Sequence, residues 1–87
     1  MKLTLSEKEI LGLLIYPEPF HQILEESQIP YGAVRDDLMN LISHGYVDVY
    51  LIDGSRPISP FYDTDHLEQF AYKATKNGLK AIQGHAV

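Results

Sequence analysis

The amino-acid sequence predicts an α+β domain made of three N-terminal helices, a β-hairpin and a short C-terminal helix. Three observations predict it. Residues Ile29–Val47 carry Val34, Leu38, Leu41 and Ile42 at helical spacing, then a stop at Gly45 and a strand-like run. Upstream lie two shorter helical patterns bounded by prolines, and downstream an alternating run reaches Thr75 with Gly78 three residues later.

The first helix begins near Ser6. Ser6 and Glu9 have the spacing of a capping box, in which each side chain satisfies a backbone donor at the helix start. Ile10, Leu11, Leu13, Leu14 and Ile15 then supply a broad apolar face, and Pro17 and Pro19 end the helix. A second helix runs from Pro19 to Ser27, because proline is tolerated in a first turn, with Phe20, Ile23 and Leu24 turned inward. Gln28-Ile29-Pro30 makes the turn, since a residue before proline is pushed out of helical geometry. Pro30 or Tyr31 opens the third helix. Its buried stripe leaves Asp36, Asn40 and Ser43 pointing away, with Arg35 on the flank.

From Tyr46 to Ile52 the pattern is β-rich, with Val47, Val49 and Leu51 on one face and Asp48 breaking the other. Gln69–Thr75 is the expected return strand. About sixteen residues, Asp53–Glu68, separate the two, and a connection of that length is either functional or packed onto something. Thr75 caps a last helix in which Leu79 and Ile82 face inward and which Gly84 ends.

With 87 residues the chain has room for a single domain, 1–87, small enough that pairing with a second copy would add stability. Its net charge is −5, and the excess lies at the front, where seven acids in residues 1–45 face three bases. Non-specific affinity for phosphate backbones comes from cations, so contact with nucleic acid has to be local. There is no cysteine, which excludes disulfides, thiolate metal sites and a cysteine nucleophile. No run is apolar enough to span a bilayer and the N-terminus does not read as a signal peptide, so a cytoplasmic location is expected.

Other chemistry finds little support. Asp63-Thr64-Asp65-His66 has the composition of a metal cluster, but its loop spacing fixes no coordination geometry, and Thr64 or Asp65 reads better as the cap of a brief helical turn. Asp36 and Asp37 point about 100° apart on their helix and lack a nucleophile nearby. The glycines are spaced as helix stops and turns, not as a phosphate loop. Neither an enzyme activity, a metal nor a cofactor is expected.

The chain resembles a winged helix-turn-helix domain of small prokaryotic transcriptional regulators over nearly its whole length. The resemblance rests on the capped first helix, the proline-bounded second, the run Leu41-Ile42-Ser43-His44-Gly45-Tyr46-Val47, and the segment Tyr72–Ile82. It implies that the third helix enters the major groove of double-stranded DNA while the wing touches the backbone. By position, Tyr31, Gly32, Arg35, Asp36, Met39, Asn40 and Ser43 would face the groove. Nucleic-acid contacts are expected at Tyr31, Arg35, Asn40, Arg56, Lys73 and Lys76, in a homodimer. A second reading is an acidic winged-helix module that binds a protein partner through Ile58, Phe61 and Tyr62 of the wing, without DNA.

Overall fold

The computed structural model describes residues 2–55 and 66–83. The elements are α1 (Leu5–Leu13), β1 (Glu18–Pro19), α2 (Phe20–Ser27), α3 (Tyr31–Ser43), β2 (Val47–Leu51), a 3-10 turn (Leu67–Gln69), β3 (Phe70–Ala74) and α4 (Lys76–Gln83). The α+β class and the order helix, helix, helix, hairpin, helix are as predicted.

Helix α1 starts two residues earlier than its sequence indicates. Thr4 is the N-cap, its hydroxyl accepting the Glu7 N–H at 3.1 Å while the Glu7 carboxylate accepts the Thr4 N–H at 2.8 Å. Thr4-x-x-Glu7 and Ser6-x-x-Glu9 both fit the capping-box pattern, and the earlier register puts Glu7, Ile10, Leu11 and Leu14 on one buried face. The far end differs too. The Leu14 carbonyl accepts the Ala74 N–H of β3 at 2.8 Å, so the chain leaves the helix there and Ile15, expected inside, is 51% exposed.

Strand β1 has no signature in the sequence. Glu18 pairs with Tyr72 and Pro19 with Ala71 at the edge of the sheet, a position where a residue without an N–H costs no ladder bond. Pro19 is also the N-cap of α2, which ends at Gln28 in the left-handed conformation, φ 57° and ψ 22°. The three strands are antiparallel in the order β1-β3-β2, with Val47 opposite Ala74 and Leu51 opposite Phe70.

Gly45 closes α3 as expected, with φ 76°. Its N–H reaches the Ile42 carbonyl at 3.0 Å and the Tyr46 N–H reaches Leu41 at 2.8 Å, the paired bonds of a Schellman stop. Thr75 then ties the end of α3 to the start of α4. Its hydroxyl donates to the Gly45 carbonyl at 2.7 Å and accepts the Gly78 N–H at 3.0 Å, while its own N–H donates to Tyr46 at 2.9 Å.

Among the described residues, a core of Ile10, Leu11, Leu14, Phe20, Ile23, Val34, Leu38, Leu41, Val47, Leu67, Tyr72 and Ala74 sits between the helices and the sheet. Burial of this face, at roughly 25 cal/mol per Å² of apolar surface, holds the short helices in place. Leu67 belongs to the connection between the strands, so part of that long segment packs onto the core. The Tyr72 hydroxyl, buried with it, donates to the Leu67 carbonyl at 3.0 Å.

Candidate nucleic-acid interface

Helix α3 is held by its inner face and presents the remainder to solvent. Val34, Leu38 and Leu41 are fully buried, and Ile42 is half-buried beside them. Met39, a groove-facing candidate, also packs against the core and is half-buried. Tyr31 opens the helix, with its ring edge-on to the buried Phe20 ring at a centroid distance of 5.1 Å and 45% of the residue exposed. Its body is therefore anchored and its outer edge is accessible.

The exposed face carries a charge couple, with Asp36 near its centre and Arg35 on its flank. Arg35 Nε donates to Asp36 Oδ1 at 3.3 Å, with the two side chains 45% and 72% exposed. Such an exposed pair contributes little to stability, about 0–1 kcal/mol, and both partners remain available to a ligand. Ala33 and Ser43 are exposed on the same side. At the helix end the Ser43 hydroxyl and the His44 Nδ1–H both approach the Asn40 carbonyl, at 2.9 and 2.8 Å, and satisfy an acceptor that the last turn leaves open.

Asn40 itself is engaged from the other side. Its amide donates to Glu7 Oε2 at 3.3 Å, across from α3 to α1. Glu7, only 2% exposed, thus caps its own helix through one carboxylate oxygen and holds α3 through the other. One turn away, the Ser6 hydroxyl donates to Asp37 Oδ2 at 2.6 Å. These two bonds fasten the first turn of α1 to the middle of α3. Glu7 reads in the sequence as one surface acid among several. A weak signal of its role is its place three and four residues before Ile10 and Leu11, on the buried face.

The cations are spread out. Lys73 lies on β3 directly opposite Asp48, a cross-strand position where opposite charges offset one another. Lys76, the first residue of α4, is exposed near the Gly45 end of α3 through the Thr75 bonds. Arg35 sits ten residues up that helix, about 15 Å away by helical rise. Arg56, Ile58, Phe61 and Tyr62 lie outside the described residues, as do Asp63, Thr64 and Asp65.

Two carboxyls depart from their ordinary behaviour. Burial, then the charge of Glu26 and a hydrogen bond with it, raises the pKa of Glu18 on β1. Asp53, after β2, is held lower by the Ser55 hydroxyl and N–H, at 2.7 and 2.9 Å. Among the described residues no group of three His, Asp or Glu is placed to hold a metal, and no helix is long and apolar enough to cross a membrane. An open hollow of about 460 Å³ lies where β1, α2 and the tip of β2 meet, with Pro17, Pro19, Leu51, Ile52 and Ala71 on its walls and His21 and Glu68 as its polar side chains.

No protein-family model and no curated protein matches the chain. Among solved structures, two mutants of Lactococcus lactis ZitR match it with TM-scores of 0.70 and 0.72 at 21% identity, each alignment covering 99% of this chain and 52% of the other. A mutant of S. aureus MepR matches with a TM-score of 0.69 at 19% identity, covering 94% of this chain and 55% of the other. The chain spans about half the length of these structures. ZitR and MepR are winged-helix transcriptional regulators, and this chain has their winged-helix fold, with α2 and α3 as the helix-turn-helix and β2 and β3 as the sides of the wing.

Proposed function

We propose that this domain is the DNA-binding part of a transcriptional regulator, acting as a homodimer that lays α3 into the major groove of double-stranded DNA. The observation that carries this reading is the state of α3. It is fastened by its apolar stripe, by the Schellman stop and by the bonds from Ser6 and Glu7, so that a rigid exposed face is left for one partner. A rigid helix face is what base-edge recognition needs. Arg35 and Tyr31 reach bases or phosphates from it, and Lys73, Lys76 and Arg56 contact the backbone. In this reading the protein is cytoplasmic, needs no cofactor and carries out no catalysis.

Local cations within a body of charge −5 give a distinctive salt dependence. Three backbone contacts per subunit predict that affinity falls with salt at a slope of about −3 on a double-logarithmic plot, and about twice that for a dimer. Titration of a random duplex pool from low to moderate salt measures this. Weaker binding by Arg35→Ala and Lys76→Ala supports the reading. An affinity unchanged by salt and by both substitutions would overturn it.

A second reading, a protein-interaction module, draws on a different surface. Tyr16 and Ile52 are 75% and 57% exposed, and Ile52 lines the 460 Å³ hollow that begins at Pro17. If this surface is the working one, Ile52→Ser abolishes partner capture while Arg35→Ala leaves it intact.

A further inference from the structure

We propose that the α3 face selects a G·C pair, or two adjacent ones, through the Arg35–Asp36 couple, and that Asn40 acts as a positioning residue. The inference rests on the DNA-binding reading and names the DNA that the domain recognises.

The chemistry follows from which polar groups the folded helix leaves available. An asparagine amide is suited to adenine, because it can donate to N7 and accept from the N6 amine together. Asn40 directs one of its amide N–H groups at the buried Glu7 carboxylate, whose other oxygen holds the Thr4 N–H. Asn40 is exposed, and Glu7, 2% exposed, holds one of its two amide N–H groups, so the side chain meets any ligand only in the orientation that this bond fixes. With the Ser6–Asp37 bond, the Asn40–Glu7 bond fixes the angle of α3 against α1.

The face also carries a donor fork beside an acceptor. Arg35 has only N–H donors and ionised Asp36 has only acceptors, and they are joined at 3.3 Å. The major-groove edge of a G·C pair shows the complementary row, with two acceptors on guanine, O6 and N7, next to the N4 donor of cytosine. An A·T pair offers a donor flanked by acceptors and a methyl group, so Arg35 and Asp36 cannot both be satisfied there as a joined couple. The same aspartate is repelled by phosphates on either side, so it contributes to discrimination and not to non-specific affinity. An acidic residue at the middle of this face is then a specificity element in an otherwise weakly cationic domain.

Selection from a random duplex pool at low salt tests this with the wild-type chain and the Arg35→Ala, Asp36→Ala and Asn40→Ala variants. The expected result is enrichment of G·C at one or two adjacent positions. Arg35→Ala and Asp36→Ala each relax the choice of the G·C pair, by about tenfold or more. Asn40→Ala weakens all sequences alike and leaves the preferred bases unchanged. An adenine enriched by the wild type and lost in Asn40→Ala would overturn the inference while leaving DNA binding intact. Absence of any binding by the wild type would overturn DNA binding itself.

A measurement without DNA tests the premise separately. Asn40→Asp sets a carboxylate against Glu7 and lowers the melting temperature by about 5 °C or more. In a Glu7→Gln background the loss disappears, because glutamine can accept from Thr4 and donate to the new aspartate. Equal losses in the two backgrounds would show that Asn40 is not held by Glu7.

Discussion

Replacing Gly78 by alanine sets two effects of opposite sign against each other. Alanine is favoured over glycine in a helix interior by about 1 kcal/mol. Gly78 is buried in α4, however, and a Cβ there would overlap the Tyr46 carbonyl oxygen, lie 3.1 Å from the Tyr46 carbonyl carbon and 3.2 Å from Leu11 Cδ2. The carbonyl cannot swing away freely, since it accepts the Thr75 N–H at 2.9 Å and Thr75 is in turn bonded to Gly45 at 2.7 Å. Relief has to come from α4 backing off the α3–β2 junction. Overpacking of this kind costs about 1–3 kcal/mol, and loss of the Thr75 bond adds about 1 kcal/mol. The net expectation is a destabilisation of about 1–3 kcal/mol, or several degrees in melting temperature, read by urea denaturation followed by circular dichroism. Gly12→Ala and Gly32→Ala serve as controls, because nothing lies within 4 Å of a Cβ at either position. Both should gain about 0.5–1 kcal/mol. A Gly78→Ala chain as stable as these controls would refute the close-approach reasoning.

Three further outcomes are expected. Gln28→Gly should stabilise by about 0.5–1 kcal/mol, because the left-handed conformation at φ 57° costs a non-glycine residue about 1–2 kcal/mol, part of which the entropy of glycine offsets; a lower urea midpoint would contradict it. The raised pKa of Glu18 means that its protonated form favours the fold: its contribution is fully present below the unfolded value near 4.5 and is lost as pH rises through the higher folded value. Glu18→Gln should flatten the fall of melting temperature across that weakly acidic range, and an unchanged profile would argue against the Glu18–Glu26 pairing. Thr75→Val keeps the shape of the side chain but removes its hydroxyl from both the Gly45 carbonyl and the Gly78 N–H, for a loss of about 1–2 kcal/mol in the same denaturation assay; no loss would show that the cap is dispensable.

The sequence revealed those features that local chemistry decides. The Gly45 stop and the Thr75 cap were legible because a Schellman turn and an N-cap involve residues within a few positions of one another. The start of α1 was read two residues late, since two overlapping patterns satisfy the same capping rule and only the packing of Glu7 against α3 distinguishes them. Strand β1 was missed because its two residues owe their extended pairing to Tyr72 and Ala71, more than fifty positions away. Ile15 was placed inside for a related reason, as the bond that ends α1 comes from Ala74 on β3.

The candidate site divides along the same line. Helical spacing put Arg35, Asp36 and Ser43 on the open side of α3, where they are exposed. It also put Asn40 there, and Asn40 is exposed, but spacing within one helix says nothing of the Glu7 carboxylate that meets it from another. The reason for glycine at position 78 was equally hidden, because its neighbour Tyr46 lies on the far side of the hairpin in the sequence.

The central claim is that the exposed face of α3 is the surface that meets DNA. Backbone amide shifts of the labelled domain, followed during titration with a duplex enriched from the random pool, test it most directly. The account predicts that the largest shifts fall on Tyr31, Ala33, Arg35, Asp36 and Ser43, with a second set at Lys76. Shifts confined to His21, Leu51 and Ile52 around the hollow beside β1, with α3 unmoved, would contradict it.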